Sequence, residues 1–177
     1  LMVLMNPDAL LKADKSRPPP ILPMHRIFSL KDFEALRGFS GDWVVSAFYD
    51  GKRMIIMRKG SRFTAYDENN DAVPLSGVDA VRMKDCIHII DLIDYDDTNV
   101  SDMTVRERLK ILRGQFDSHE HILVPAPHDT RITEDGGLES TVENLQEEHK
   151  QLLLRDAKST FMRGERRHPK WFLLRKN

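Results

Sequence analysis

A handful of side chains in this sequence could do chemistry. Asp50-Gly51-Lys52-Arg53 puts an acid, an amine and a guanidinium around one turn, which by itself reads as a hairpin. His119-Glu120-His121 would place two imidazoles on one face of a strand, yet two imidazoles alone make an incomplete metal site and read as a surface pair. Asp94, Asp96, Asp97 and Asn99 crowd oxygen donors as a Mg²⁺ or Ca²⁺ loop would. The glycine and closing glutamate of an EF-hand loop are missing, so the cluster reads as a solvated turn and no metal ligands are assigned. No glycine-rich phosphate loop, nucleophile elbow or His-Glu-x-x-His occurs. The single cysteine, Cys86, excludes a disulfide framework and a multi-cysteine zinc site, and points to a reducing, cytoplasmic compartment.

Charge adds a second signal. The net charge is −1, but residues 150–177 hold nine basic side chains against two acidic ones, +7 in all, leaving −8 elsewhere. A basic stretch of this kind, 150–176 with Phe161 and Trp171 interleaved, is the electrostatic footprint of a nucleic acid or of an acidic protein surface. Its candidate contacts are Lys158, Arg163, Arg166, Arg167 and Lys170. A solvated basic edge is the plainer reading.

The elements that must position these groups are legible in outline. With 177 residues, 40% hydrophobic and 31% charged, the chain suits one globular domain with at most a small appendage. No apolar run reaches the ~18 residues of a membrane helix, so no membrane partner is expected. Residues 1–26 read as an extended arm, because Arg17-Pro18-Pro19-Pro20 and Pro23 favour polyproline II. The opening leucines and methionines lack a basic leader and a cleavage site, and a first residue of Leu suits a fragment or a processed chain. Ser29 starts a short helix over Leu30–Arg37 that Gly38 stops. Strands follow at Trp43–Tyr49, Arg53–Arg58 and Arg62–Tyr66, with a hairpin at Asp50-Gly51 and a turn at Lys59-Gly60, hence an antiparallel meander. Residues 68–84 are a loop by composition. Cys86–Ile93 is a buried central strand. Thr104–Arg113 is a helix opened by a Thr104/Glu107 capping box and closed by Gly114. His121–Val124 is a strand, Leu138–His149 an amphipathic helix, and Leu152–Leu154 and Trp171–Arg175 the last strands. The order is α+β.

Taken together, Phe48-Tyr49-Asp50-Gly51-Lys52-Arg53, Asp91-Leu92-Ile93 with Thr104-Val105-Arg106-Glu107-Arg108, Leu152 to Asp156 running into Ser159 to Arg167, and Trp171 to Arg175 form an ordered set. In order and placement it resembles the adenylation (nucleotidyltransferase) domain of ATP-dependent DNA ligases over about residues 20–176. The resemblance implies a reduced ligase-like, ATP-grasp-like core over 27–177, without the OB-fold domain that usually follows. It also implies a lysine that attacks the α-phosphate of ATP, helped by cations and by metal-binding acids.

The departures share one direction. Phe48 stands where the family has its lysine, Ser46 where an acid reads the adenine, and Lys150-Gln151 where Glu-Gly belongs. The Asp-Gly-Glu motif has no counterpart, and Leu173 replaces the first closing lysine. Asp50, Gly51 and Arg53 are retained, Arg155 and Arg175 stand for lysines, and His88 or Ile90 for the stacking aromatic. The expected nucleotide-side residues are therefore Asp50, Gly51, Arg53, His88, Arg155 and Arg175, with no catalytic residue. The expectation is a pseudo-ligase, a binding or scaffold module within a larger assembly, with no cofactor. Two alternatives remain: an active nucleotidyltransferase using Lys52 with ATP and Mg²⁺, or a non-covalent nucleotide sensor.

Overall fold

The chain folds into two sheets laid face to face, with a helix on the outer side of one and another packed on the fourth of the five strands of the second. The computed structural model describes residues 24–31, 41–59, 62–67, 77–95, 98–115, 121–126, 130–133, 137–162 and 168–175. Among these are strands β1 (Met24–Ile27), β2 (Trp43–Phe48), β3 (Lys52–Lys59), β4 (Arg62–Asp67), β5 (Val78–Arg82), β6 (Ile87–Leu92), β7 (Asp94–Tyr95), β8 (Thr98–Asn99), β9 (Ile122–Leu123), β10 (Thr130–Thr133), β11 (Gln151–Asp156) and β12 (His168–Arg175). The helices are α1 (Val105–Gln115) and α2 (Leu138–Gln146). One sheet runs β1-β12-β11-β2-β10, the second β4-β3-β5-β6-β9, and β7 and β8 make a small hairpin.

The inter-sheet core explains why the strands read as they do. Val44, Leu153, Trp171 and Leu173 from the first sheet share one cluster with Met54, Val78, Val81 and Ile90 from the second. On the other side of the first sheet Val45, Leu152, Leu154 and Phe172 are covered by Val142 and Leu145 of α2. Strands β2, β11 and β12 are thus buried on both faces, and such strands show apolar runs instead of alternation. Helix α1 sets Val105, Leu109 and Leu112 into the inter-sheet cluster and packs on β6. Its capping box forms as expected: the Thr104 N–H donates to Glu107 Oε2 at 2.9 Å, and the Glu107 N–H to Thr104 Oγ1 at 3.2 Å. The Val105 N–H, which no helix carbonyl can serve, donates to Ser159 O at 2.9 Å.

Several expectations need correction. Asp50-Gly51 is not a hairpin: β2 pairs with β10 and β11, whereas β3 pairs with β4 and β5. The chain crosses here from one sheet to the other. Gly51 is demanded by proximity, since a Cβ there would sit 2.2 Å from Arg82 O and 2.7 Å from Val81 Cγ1. The sheets are mixed, because β1 joins β12 and β9 joins β6 in parallel. The supposed loop over 68–84 holds β5, buried from Val78 to Val81. Strands β1 and β10 were also missed; β1 begins at Met24, inside the segment assigned to the arm, and takes an edge position after Pro23. Helix α1 runs through Gly114 to Gln115, while α2 stops at Gln146. In the acidic cluster, Asp94 is buried and accepts the Gly77 N–H at 2.8 Å, so this part is no solvated turn. Asp96, Asp97, most of the Leu30–Arg37 helix, the Lys59-Gly60 turn and the proline run lie outside the described residues. No helix among the described residues is long and apolar enough to cross a membrane.

Candidate functional site

Successive side chains on a strand point to opposite faces. The registers of β12, β11, β2 and β10 therefore lay out rows on the face turned towards the second sheet. The outermost row is Arg175, Gln151, Phe48. The next is Leu173, Leu153, Ser46, Thr130, and the third is Trp171, Arg155, Val44, Ile132.

The outermost row meets the sheet-to-sheet crossing. Phe48 is half-buried and packs against the inter-sheet cluster. Gln151 Nε2 donates to Asp50 Oδ1 at 2.6 Å, tying the start of β11 to the crossing. Tyr49 sits edge-on to His88 of β6 at 4.8 Å between ring centroids, and to His149 at 6.3 Å. Phe48, Asp50, Gly51, His88 and Gln151 are thus brought together, with Arg175 exposed at the row's end. Lys52 opens β3 on the second sheet, exposed and opposite Arg82.

Two of the expected nucleotide-side cations are buried in ion pairs. Arg53 grips Asp79 with Nε at 3.0 Å and Nη2 at 2.6 Å. Arg155 is fully buried; its Nη1 donates to Ile90 O at 3.1 Å and to Asp91 Oδ2 at 3.3 Å. Asp91 also receives Arg108 of α1, Nε at 2.8 Å and Nη2 at 2.9 Å. Burial alone would raise the Asp91 carboxyl, but Arg108, Arg155 and the Leu92 N–H hold it below its ordinary 3.8. Burial pushes the Arg155 guanidinium down to about 10, with Asp91 pulling the other way.

Among the described residues, the basic side chains of the stretch do not stand together. Lys158 lies just past the end of β11 and Lys170 near the start of β12, both exposed. Arg175 lies at the far end of β12, roughly 17 Å from Lys170 at the usual rise per residue. Arg163, Arg166 and Arg167 lie outside the described residues, as do His119 and Glu120. The sequence does not single out Asp79, and it names Tyr49 and Arg108 only within the ordered set. A lone Asp inside Ile-Ile-Asp-Leu-Ile is a usable signal, since a buried carboxylate needs a paired cation. Among the described residues no group of three or more His, Cys, Asp or Glu is placed to hold a metal.

No family model matches the chain, and no curated protein does. Solved structures do resemble it. The ligase domain from M. tuberculosis LigD superposes with a TM-score of 0.59 at 12% identity, covering 86% of this chain and 58% of that one. The mycobacterial DNA ligase D complexed with ATP and MES gives 0.60 at 12% identity, covering 88% and 60%. The chain thus spans about 60% of the length of these structures. At such identity the likeness carries the architecture alone: the fold is similar to that of the LigD ligase domain, α+β in class, with two helices among the described residues.

Proposed function

We propose that the chain is a ligase-like domain without adenylyl-transfer activity, working as a non-catalytic binding or scaffold module for a polyanion, nucleic acid before acidic protein. What carries this reading is the row Phe48–Gln151–Arg175. A benzyl side chain has no lone pair to attack a phosphate. Gln151 is a neutral amide engaged by Asp50, at the place where the family resemblance expects Glu-Gly. Lys52 is exposed on the opposite sheet, and an amine out of line forfeits the alignment that makes up to about 7–11 kcal/mol of the barrier. ATP as a covalent substrate does not fit these residues, and no step is written through it.

The retained Asp50 and Gly51 have structural duties at the crossing, and Arg53 and Arg155 in ion pairs. That is the pattern of a fold kept without its chemistry. Incubation with labelled ATP and Mg²⁺ is expected to leave no acid-stable label on the protein. Label that Lys52→Ala abolishes would establish the active-enzyme alternative instead. Binding to nucleic acid, tested on the same protein, is expected at low salt; an acidic protein bound in preference would move the partner to the second class.

A further inference from the structure

Among the described residues, the charges that act on Arg155 in the core do not balance: Arg155, Arg108 and Arg53 face Asp91 and Asp79. Arg108 takes both oxygens of Asp91 and sends its Nη1 to Ser101 O at 3.5 Å and to Met103 O. Arg155 approaches the same carboxylate from the opposite sheet through Nη1 alone. Two fully buried guanidinium groups therefore share one carboxylate. Asp79, the second acid that acts on Arg155, is held at both oxygens by Arg53. Arg155 Nε and Nη2 are sealed from solvent and have no hydrogen-bond partner. The Trp171 ring lies 5.2 Å from Arg155 Cζ and offsets part of the charge, but a ring face does not satisfy N–H donors at the guanidinium edge. Even lowered by burial to about 10, this group stays protonated at neutral pH, and a buried donor left unmade is costly.

We infer that Arg155 Nε and Nη2, between β11 and β6, hold a small inorganic anion of the halide class within the inter-sheet core. The valence follows from the surplus of one positive charge around Asp91. Both nitrogens are sealed from solvent, which suits a compact ion and not a phosphate ester carrying a nucleoside. Such an ion would bind the first sheet to the second whether or not the module engages nucleic acid, so the inference stands apart from the proposed function.

Thermal unfolding of the whole protein in sodium chloride and in sodium gluconate at matched ionic strength tests it, because a ligand held only by the native state raises the midpoint with its concentration. The expected result is a higher midpoint in chloride, climbing with chloride concentration, and no chloride–gluconate difference in Arg155→Met. Equal midpoints in the two salts, or the same difference in Arg155→Met, would overturn the assignment. So would stabilisation by inorganic phosphate with none by chloride. If Arg155→Met does not fold, bromide-soaked crystals of the native protein decide: an anomalous peak beside Arg155 Nε supports the site, and ordered water there without bromide refutes it.

Discussion

His168 shows how burial converts one ring into a pH-dependent support. Its Nδ1 accepts the Lys170 N–H at 3.1 Å, which leaves Nε2 as the protonated nitrogen donating to Thr160 O at 2.9 Å. The ring stacks on Trp171 at 4.4 Å. Burial is the main force lowering its pKa to about 4; the Thr160 bond opposes it, and Arg108, Arg53 and Arg155 add to it. Since the folded value lies below the ordinary 6.5, the neutral ring contributes fully above pH 6.5 and its contribution is lost as pH falls towards 4. The shift corresponds to at most about 3 kcal/mol. Urea unfolding of the native protein is expected to weaken across pH 6.5 to 4, with that slope absent in His168→Gln; a native curve flat over this window would contradict the neutral tautomer. Asp91 acts lower on the scale. Its carboxyl is held below 3.8, so its contribution persists above that value and fades only in stronger acid. Asp91→Asn leaves Arg108 and Arg155 facing an amide, and removing one partner of a buried pair costs about 3–5 kcal/mol. Denaturant midpoints at pH 7 measure that loss.

At the level of elements, the crossing after β2 is the feature with most depending on it. Gly51→Ala would press a methyl group on the Arg82 carbonyl and on Val81, and overpacking of this sort costs about 1–3 kcal/mol. Gly114→Ala is the opposite case: the site is exposed within α1 and an added Cβ meets nothing within 4 Å, so a gain of about 0.5–1 kcal/mol is expected from helix propensity. Thermal midpoints of the two variants should move in opposite directions; two losses would mean that α1 does not pass through Gly114. These glycines also mark what the sequence could disclose. The capping box was legible because its bonds join residues three apart, and the apolar runs of β2, β6, β11 and β12 because burial on both faces leaves a plain record. Asp50-Gly51 misled because two residues of turn propensity do not say whether the next strand returns to the same sheet. Strand β5 was hidden by its own buried charge, Asp79, whose partner Arg53 is 26 residues away. The same holds for the site: Phe48 and Gln151 were identified as departures, yet nothing local announces that a shared register sets them side by side.

Over the whole molecule, the described basic residues of the last 28 are divided by the fold. Arg155 is withdrawn into the core, Lys158 and Lys170 stand at one end of the β11–β12 pair, and Arg175 at the other. A polyanion lying along one end would release counterions only from the phosphates that end neutralises, at about 0.9 of a unit in the log–log salt slope per contact on duplex DNA. For the proposed nucleic-acid partner, Lys158→Ala and Lys170→Ala are each expected to flatten the slope by about one unit and to weaken binding evenly across sequences. Arg155→Lys, confined to the core, is expected to leave the slope unchanged. Titrations of a fluorescent duplex between low and moderate salt read all three. A native affinity indifferent to salt would remove electrostatic binding altogether. A slope lost in Arg175→Ala but kept in both lysine variants would place the contact beside Phe48 and Gln151, the end where the two sheets meet the crossing.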